Sequence, residues 1–386
     1  MRKETKIFYF SNIPYNFLKQ RPQQLYDEWK KNESFEVFYF EPPNFNILLR
    51  MILKKLVYSG DKNILTLSPP ISFLISLFSC RIKILRYLGN ILQKKSIFPN
   101  LINNNLKRFL NKESTNIAIL SSPIWEPFIN KPDFDIICYD YLDSVIIHSK
   151  DEEYKKKNHD LILKSDLIFT TAEKLKEDVF SISYKKDVLN VSNGVNSHFF
   201  QENKNLVFKN YKIGTKKVVG YVGAIFEWID LDLIFESAKS LSNVIFILVG
   251  PINGENKKYL RKKPKNVFFV GQKPYNEVPA YINSFDVAII PFKNDGDISE
   301  STDPIKVYEY FSLGKPVVST YLRQLKRFDG NLLKIITNPN EFNKAINYFL
   351  NEDKEQYQNE RKRIAYENSW SNKADLMLDA VKNKIK

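Results

Sequence analysis

At 386 residues, with 43% hydrophobic and 14% aromatic side chains, the chain holds enough material for two folded domains and is too apolar for a disordered polymer. Two cysteines, Cys80 and Cys138, exclude a disulfide framework and a CxxC metal site, and such usage suits a reducing cytosol. The formal charge of +14 calls for anionic partners.

The opening MRKETKIFYFSNIPYNF carries early positive charge, but Ser11, Asn12 and Pro14 cut its apolar run short. It reads as a first β-strand and not as a signal peptide. Short β-branched and aromatic runs then alternate with longer amphipathic stretches, the pattern of parallel α/β sheets. In the first half this predicts strands at Ile7–Ser11, Val37–Phe40, Ile64–Leu67, Ile117–Leu120, Ile136–Tyr139, Leu167–Thr170 and Val188–Val191.

Between the second and fourth of these strands the charge is concentrated. From Pro42 to Lys112 there are twelve Lys/Arg and one acid, Asp61. In RIKILRYLGNILQKK, residues Ile84, Leu85, Leu88, Ile91 and Leu92 fall on one helical stripe, with Arg81, Lys83, Arg86 and Lys94 off it. A helix resting on an anionic inner leaflet has this pattern, as does a core-facing helix with a solvated basic side. No zinc finger or RNP box accompanies the patch, so a nucleic-acid partner is set aside. The longest apolar run, Ile71 to Cys80, is far below the roughly 18 residues of a membrane span.

Asp140 and Asp143, in ICYDYLDS, sit at the carboxyl end of a predicted strand, where ligands bind in open α/β sheets. Either could orient an acceptor hydroxyl or act as a base, and either could equally cap or turn the chain. The join between two Rossmann-like halves falls between Ser192 and Lys216, a polar stretch without a strong period.

The second half predicts strands at Val218–Val222, Val244–Val249, Val267–Val270, Val287–Pro291 and Val317–Thr320. Gly223-Ala224 follows the first of these and would let backbone approach a diphosphate closely. The loop Phe292 to Thr302 is polar, precedes the next predicted helix and would face the cleft, where loops commonly set ligand specificity. GxGxxG, Walker and HExxH patterns are absent, and His148, His159 and His198 are scattered.

The segment TDPIKVYEYFSLGKPVVST, Thr302 to Thr320, predicts a helix over Pro304–Leu313 with Asp303 as N-cap and Gly314 as its stop. Unpaired first-turn N–H groups and Lys306 suit a phosphate at that end. Glu309, one turn on, can accept two hydrogen bonds from a ribose diol. A plain surface ion pair on a core helix is the competing reading.

The wording of that segment resembles the carboxyl-domain signature of GT-B nucleotide-sugar glycosyltransferases, especially retaining bacterial enzymes of teichuronic acid, capsule and other surface polysaccharides. The resemblance covers the second half well, beginning at NGVNSHF, and the first half more loosely, through Arg21-Pro22-Gln23-Gln24-Leu25 and YDYLDS. It implies that Lys306 contacts phosphate and Glu309 holds ribose, with Thr302 and Asp303 beside the phosphate or sugar. Gly250-Pro251 stands where the family has a GxGP loop. Pro274 and Tyr275 stand where it reads the nucleobase, although Tyr275 could simply pack on the next helix. The family's partner glutamate, eight residues before Glu309, is Ser301 here, with Glu300 beside it. Its Arg/Lys pair after the glycine is replaced by AIFEWID, which leaves Lys306 as the main counter-charge, with Arg21 of the first domain as a candidate helper.

These observations predict an acceptor domain over 1–197, a nucleotide-sugar domain over 198–365, and a terminal helix over 366–386 that crosses back to the first. The expected function is transfer of a sugar from a nucleoside diphosphate sugar to a glycan or lipid-linked acceptor, with retention, no cofactor and no metal. The expected place is the inner face of the plasma membrane, in the cytoplasm. A nucleotide-sugar epimerase of the same fold, or a non-enzymatic binder of anionic lipid or nucleic acid, are the alternatives.

Overall fold

The computed structural model describes residues 4–42, 63–66, 106–145, 151–201, 214–294 and 296–385. The basic amphipathic stretch at 81–95, the apolar run ending at Cys80, and His148 lie outside them. Among the described residues no helix is long and apolar enough to cross a membrane. The chain divides into two units, Met1–Val191 with Ala374–Lys386, and Ser192–Lys373.

The first unit is a seven-stranded parallel sheet in the order β3-β2-β1-β4-β5-β6-β7. Its strands are β1 (Thr5–Phe10), β2 (Phe35–Glu41), β3 (Ile64–Thr66), β4 (Thr115–Leu120), β5 (Ile136–Tyr141), β6 (Leu167–Thr170) and β7 (Val188–Asn190). Ile7 of β1 pairs with Val37 on one side and Ile117 on the other, so the strand order reverses between β1 and β4. β4, β5 and β6 are buried at every position, as strands covered on both faces must be. Phe8, Phe10, Phe38 and Phe40 alternate to one face and pack with Trp125 and Phe134. The helices are α1 (Arg21–Lys30), α2 (Glu152–Lys164) and α3 (Glu173–Ile182).

The second unit is a six-stranded parallel sheet in the order β10-β9-β8-β11-β12-β13. It comprises β8 (Lys217–Val222), β9 (Val244–Val249), β10 (Val267–Gly271), β11 (Val287–Ile290), β12 (Val317–Thr320) and β13 (Leu333–Ile336). Its order reverses between β8 and β11. The sequence reading has no counterpart of β13, whose Lys334 and Ile335 are only half-buried at the sheet edge. Helices α4 (Leu231–Ser240), α5 (Val278–Asn283), α6 (Gly296–Ser301), α7 (Ile305–Ser312), α8 (Pro339–Glu352) and α9 (Glu355–Glu367) belong to this unit. α6 corrects the expectation of an irregular loop across 292–302.

Helix α10 (Trp370–Ile385) begins in the second unit and ends in the first. In the second, Val195 bridges Ser369, and the Trp370 N–H donates to the Val195 carbonyl. In the first, the Trp29 indole donates to the Ala374 carbonyl and Lys384 pairs with Asp187.

Candidate functional site

Ligands in open α/β sheets bind beyond the strand carboxyl ends where the order reverses. In the second unit that place is the end of β8. Gly223 follows it with φ +144°, and Gly250 follows β9 with φ +146°. The Gly223 N–H donates to the Val249 carbonyl at 2.8 Å, and a Cβ on Gly250 would fall 1.9 Å from the Gly223 carbonyl oxygen. Two strand ends can meet this closely only because neither residue has a side chain.

α7 starts beside this junction and presents Lys306. Its ammonium lies 5.6 Å from the Tyr221 ring centroid and 5.9 Å from that of Phe292. Burial pushes the Lys306 pKa down, against the pull of Glu309. Glu309 is itself buried, which pushes its pKa up, while Lys306 and a 3.3 Å hydrogen bond from the Tyr275 hydroxyl work the other way. An anion bound here would gain the ammonium and the N-terminal end of α7 together, and the side-chain-free glycines leave it room to approach. Tyr310, on the same helix, fixes its placement by accepting a hydrogen bond from the Val222 N–H at 2.9 Å. The helix ends as expected, with Gly314 at φ +70°.

Asp303 is not the N-cap. That position is Pro304, which has no side chain able to cap. Asp303 is 5% exposed and accepts from the Asn193 N–H at 2.6 Å and the Tyr308 hydroxyl at 3.1 Å, with Arg327 at 3.4 Å. Its own carbonyl accepts from the Asn193 side-chain amide at 2.7 Å. Burial raises its pKa, opposed by Arg327, Asn193 and Tyr308. The carboxylate therefore ties the start of α7 to the stretch that opens the second unit. Nothing local in the sequence signals this, because Asn193 stands 110 positions away.

The hydroxyls of Ser301 and Thr302 donate to the carbonyls of Asp297 and Ile298, within α6 and just after it. Glu300 accepts from the Tyr321 hydroxyl at 2.9 Å and lies 3.5 Å from Arg323. Tyr275 packs on His198 and Phe199, with centroids 4.9 and 5.4 Å away, in addition to its bond to Glu309. The Ala224 carbonyl accepts from the Tyr221 hydroxyl, and Pro274 is exposed.

In the first unit, Arg21 and Asp140 are bound to one another. The guanidinium donates to both Asp140 oxygens at 2.8–3.0 Å and to the Val191 carbonyl at 2.8 Å, and the side chains are 3% and 0% exposed. Tyr9 also donates to Asp140, at 2.9 Å. This corrects two expectations. Asp140 faces Arg21 instead of an acceptor, and Arg21 faces Asp140 instead of a diphosphate. Asp143, two residues past β5, is exposed.

Two units, each a parallel sheet with helices and its own core, are the GT-B architecture. Among solved structures, sucrose-phosphate synthase from Thermosynechococcus elongatus superposes with a TM-score of 0.70 at 13% identity, covering 98% of both chains. Anabaena HepE in complex with UDP-glucose does so at 0.67 and 12%, covering 98% of this chain and 99% of that one. Residues 202–368, most of the second unit, match the family described as Glycosyl transferases group 1. A curated relative in Bacillus subtilis (strain 168), named "Putative teichuronic acid biosynthesis glycosyltransferase TuaH", is 27% identical over 220 residues. The match spans 55% of this chain and 55% of that relative.

Proposed function

We propose that the chain is a glycosyltransferase that moves a sugar from a nucleoside diphosphate sugar to a glycan or lipid-linked acceptor in bacterial surface polysaccharide synthesis. One observation carries the reading: the Lys306 ammonium is held over the glycine junction at the reversal point of the second sheet, with Glu309 one turn further along α7. HepE, similar in fold, was solved with UDP and with UDP-glucose, which favours a uridine donor. The relative's name favours teichuronic acid or a similar polymer.

The chemical problem is departure of a diphosphate with developing negative charge. Lys306 and the N-terminal end of α7 stabilise that charge as it forms, and so lower the barrier without a metal. Glu309 holds the ribose. The first unit takes the acceptor, and the sugar keeps its anomeric configuration. Lys306→Ala is expected to cripple transfer and Glu309→Ala to weaken donor binding. Near-normal transfer by folded Lys306→Ala protein, scored by product analysis with a panel of nucleoside diphosphate sugars, sinks the reading. An epimerised donor in place of a transfer product would identify the alternative enzyme class.

The basic segment 42–112 docks the protein on the anionic inner face of the membrane, where a lipid-linked acceptor resides. Replacing Arg81, Lys83 and Arg86 with Gln is expected to reduce cosedimentation with anionic liposomes; an unchanged bound fraction overturns this part.

A further inference from the structure

The Gly250 N–H donates to the Gly271 carbonyl at 2.9 Å, which ties the end of β10 to the glycine junction. Gly271, at φ +79°, then turns the chain out of the sheet. A short 3-10 turn over Tyr275–Glu277 follows, and the Tyr275 hydroxyl donates to Glu309 Oε1 at 3.3 Å. The other contacts of this tyrosine come from the stretch that opens the second unit. His198 meets its ring at 4.9 Å with the planes at 67°, and Phe199 meets it at 5.4 Å with the planes at 59°. Both are fixed in their turn. Asn196 caps the 3-10 turn over Ser197–Phe200 by accepting from the His198 N–H, its Oδ1 is 2.8 Å from His198 Nδ1, and Phe199 is fully buried in the core.

Packing on His198 and Phe199 uses the ring alone, and a phenylalanine would supply it. What tyrosine adds is the hydroxyl, and the hydroxyl goes to Glu309. The terminal torsion of a glutamate is broad, so a place on α7 does not by itself fix where the oxygens point. A hydrogen bond from a ring held on two sides does. Glu309 is 8% exposed, and ionising a carboxylate so deep in the fold is costly unless donors meet it. Burial pushes its pKa up, and Lys306 and then the Tyr275 hydroxyl oppose that by favouring the charged form. A carboxylate has about four lone-pair positions, so one donor on Oε1 still leaves room for two ligand hydroxyls.

We propose that Tyr275 is a positioning residue for the nucleotide ribose: its hydroxyl holds Glu309 Oε1 and so aims the rest of the carboxylate at the 2′- and 3′-hydroxyls. Tyr275 then acts through Glu309 and not by stacking on the nucleobase. The stretch 196–199 belongs to the same device, because it fixes the ring that carries the hydroxyl. This rests on the reading of Glu309 as the residue that holds ribose, which the same experiment tests separately.

The test titrates UDP and 2′,3′-dideoxy-UDP, and the corresponding ADP pair, into the full chain by isothermal calorimetry; the pair that binds more tightly carries the comparison. The parent protein is expected to prefer the nucleotide with both hydroxyls. Tyr275→Phe keeps the ring on His198 and Phe199 and is expected to weaken that nucleotide about fivefold, with the dideoxy form unchanged. In a Glu309→Ala background the same substitution should change neither. Tyr275→Phe should also move the acid-side loss of affinity to higher pH, since the ionised carboxylate loses a donor and its pKa rises further. Unchanged affinity for the full nucleotide in Tyr275→Phe overturns the proposal, and is the result expected if the ring stacks on the base. Equal losses for the full and dideoxy forms also overturn it, since a residue that merely supports the fold would act on both. A parent protein that does not distinguish the two forms removes Glu309 from the ribose, and this inference with it. If neither pair binds, the donor reading itself falls, whereas a parent that distinguishes them, matched by Tyr275→Phe, overturns this inference alone.

Discussion

Lys306 lies across the bare α-carbon of Gly223: a methyl group there would fall 2.2 Å from Lys306 Cε and 2.8 Å from its Nζ. Helix and strand end are thus fitted to one another through a missing side chain. Gly223→Ala would displace the ammonium and also place an alanine at φ +144°, at a cost of about 1–3 kcal/mol. Thermal unfolding should register that cost, and UDP titration should register lost affinity. Combining it with Lys306→Ala relieves the clash and returns part of the stability, but none of the binding. An unchanged UDP affinity in Gly223→Ala would place the phosphates elsewhere.

The two ionisable groups of α7 predict a pH dependence with a definite sign. Burial lowers the Lys306 pKa, so the stability its folded state contributes is full above the ordinary 10.5 and lost as pH falls through the depressed value. Burial raises that of Glu309, so its contribution is full below the ordinary 4.5 and lost as pH rises through the elevated value. Between the two ordinary values, burial of both groups weighs against the fold. Lys306→Met/Glu309→Gln should therefore raise the unfolding free energy at pH 7, by about 1 kcal/mol or more, and abolish UDP binding. In the parent protein UDP affinity should begin to fall on the acid side of pH 10.5, as the ammonium deprotonates. Lys306→Arg should flatten that profile.

Asp303 separates a structural carboxylate from a phosphate-contacting one. Its raised pKa means that ionisation disfavours the fold as pH rises through that value, while its oxygens still serve Asn193 and Tyr308. Asp303→Asn keeps an acceptor for the Asn193 N–H and should cost less than about 1 kcal/mol. Asp303→Ala leaves that N–H and the Tyr308 hydroxyl without their acceptor and should cost about 2–4 kcal/mol. Urea denaturation of the two variants checks the difference. Equal costs would show that the network contributes nothing.

The difference between Lys306 and Asp303 shows where sequence reading stops. Strands such as Leu167–Thr170, Val244–Val249 and Val317–Thr320 are legible to the residue because fully buried parallel strands are continuous apolar runs. β13 escapes because an edge strand carries Lys334 and offers no such run. The placement of Lys306 and Glu309 on one helix, and its stop at Gly314, are legible because they are local. Asp303 and Asp140 are misread because their partners, Asn193 and Arg21, lie 110 and 119 positions away. A carboxylate at a helix start or a strand end looks the same in sequence whether it faces solvent, substrate or a buried arginine.

Asp140 and Asp143 make that last ambiguity testable, since they differ by three positions and by their surroundings. Removing the carboxylate of Asp140 strands a guanidinium that is 3% exposed, and breaking such a buried pair costs about 3–5 kcal/mol. Arg21→Met/Asp140→Leu should be less destabilised than either single change, because no uncompensated charge remains. Asp143 is exposed two residues past β5, so Asp143→Asn should leave the unfolding transition in place and lower turnover. Asp140 variants should lose activity only in proportion to their loss of folded protein, measured by scaling rate to the native fraction from circular dichroism. If Asp140→Asn stays fully folded yet loses turnover, while Asp143→Asn keeps it, the carboxylate that meets the acceptor is the buried one, and the ion pair with Arg21 must open during the reaction.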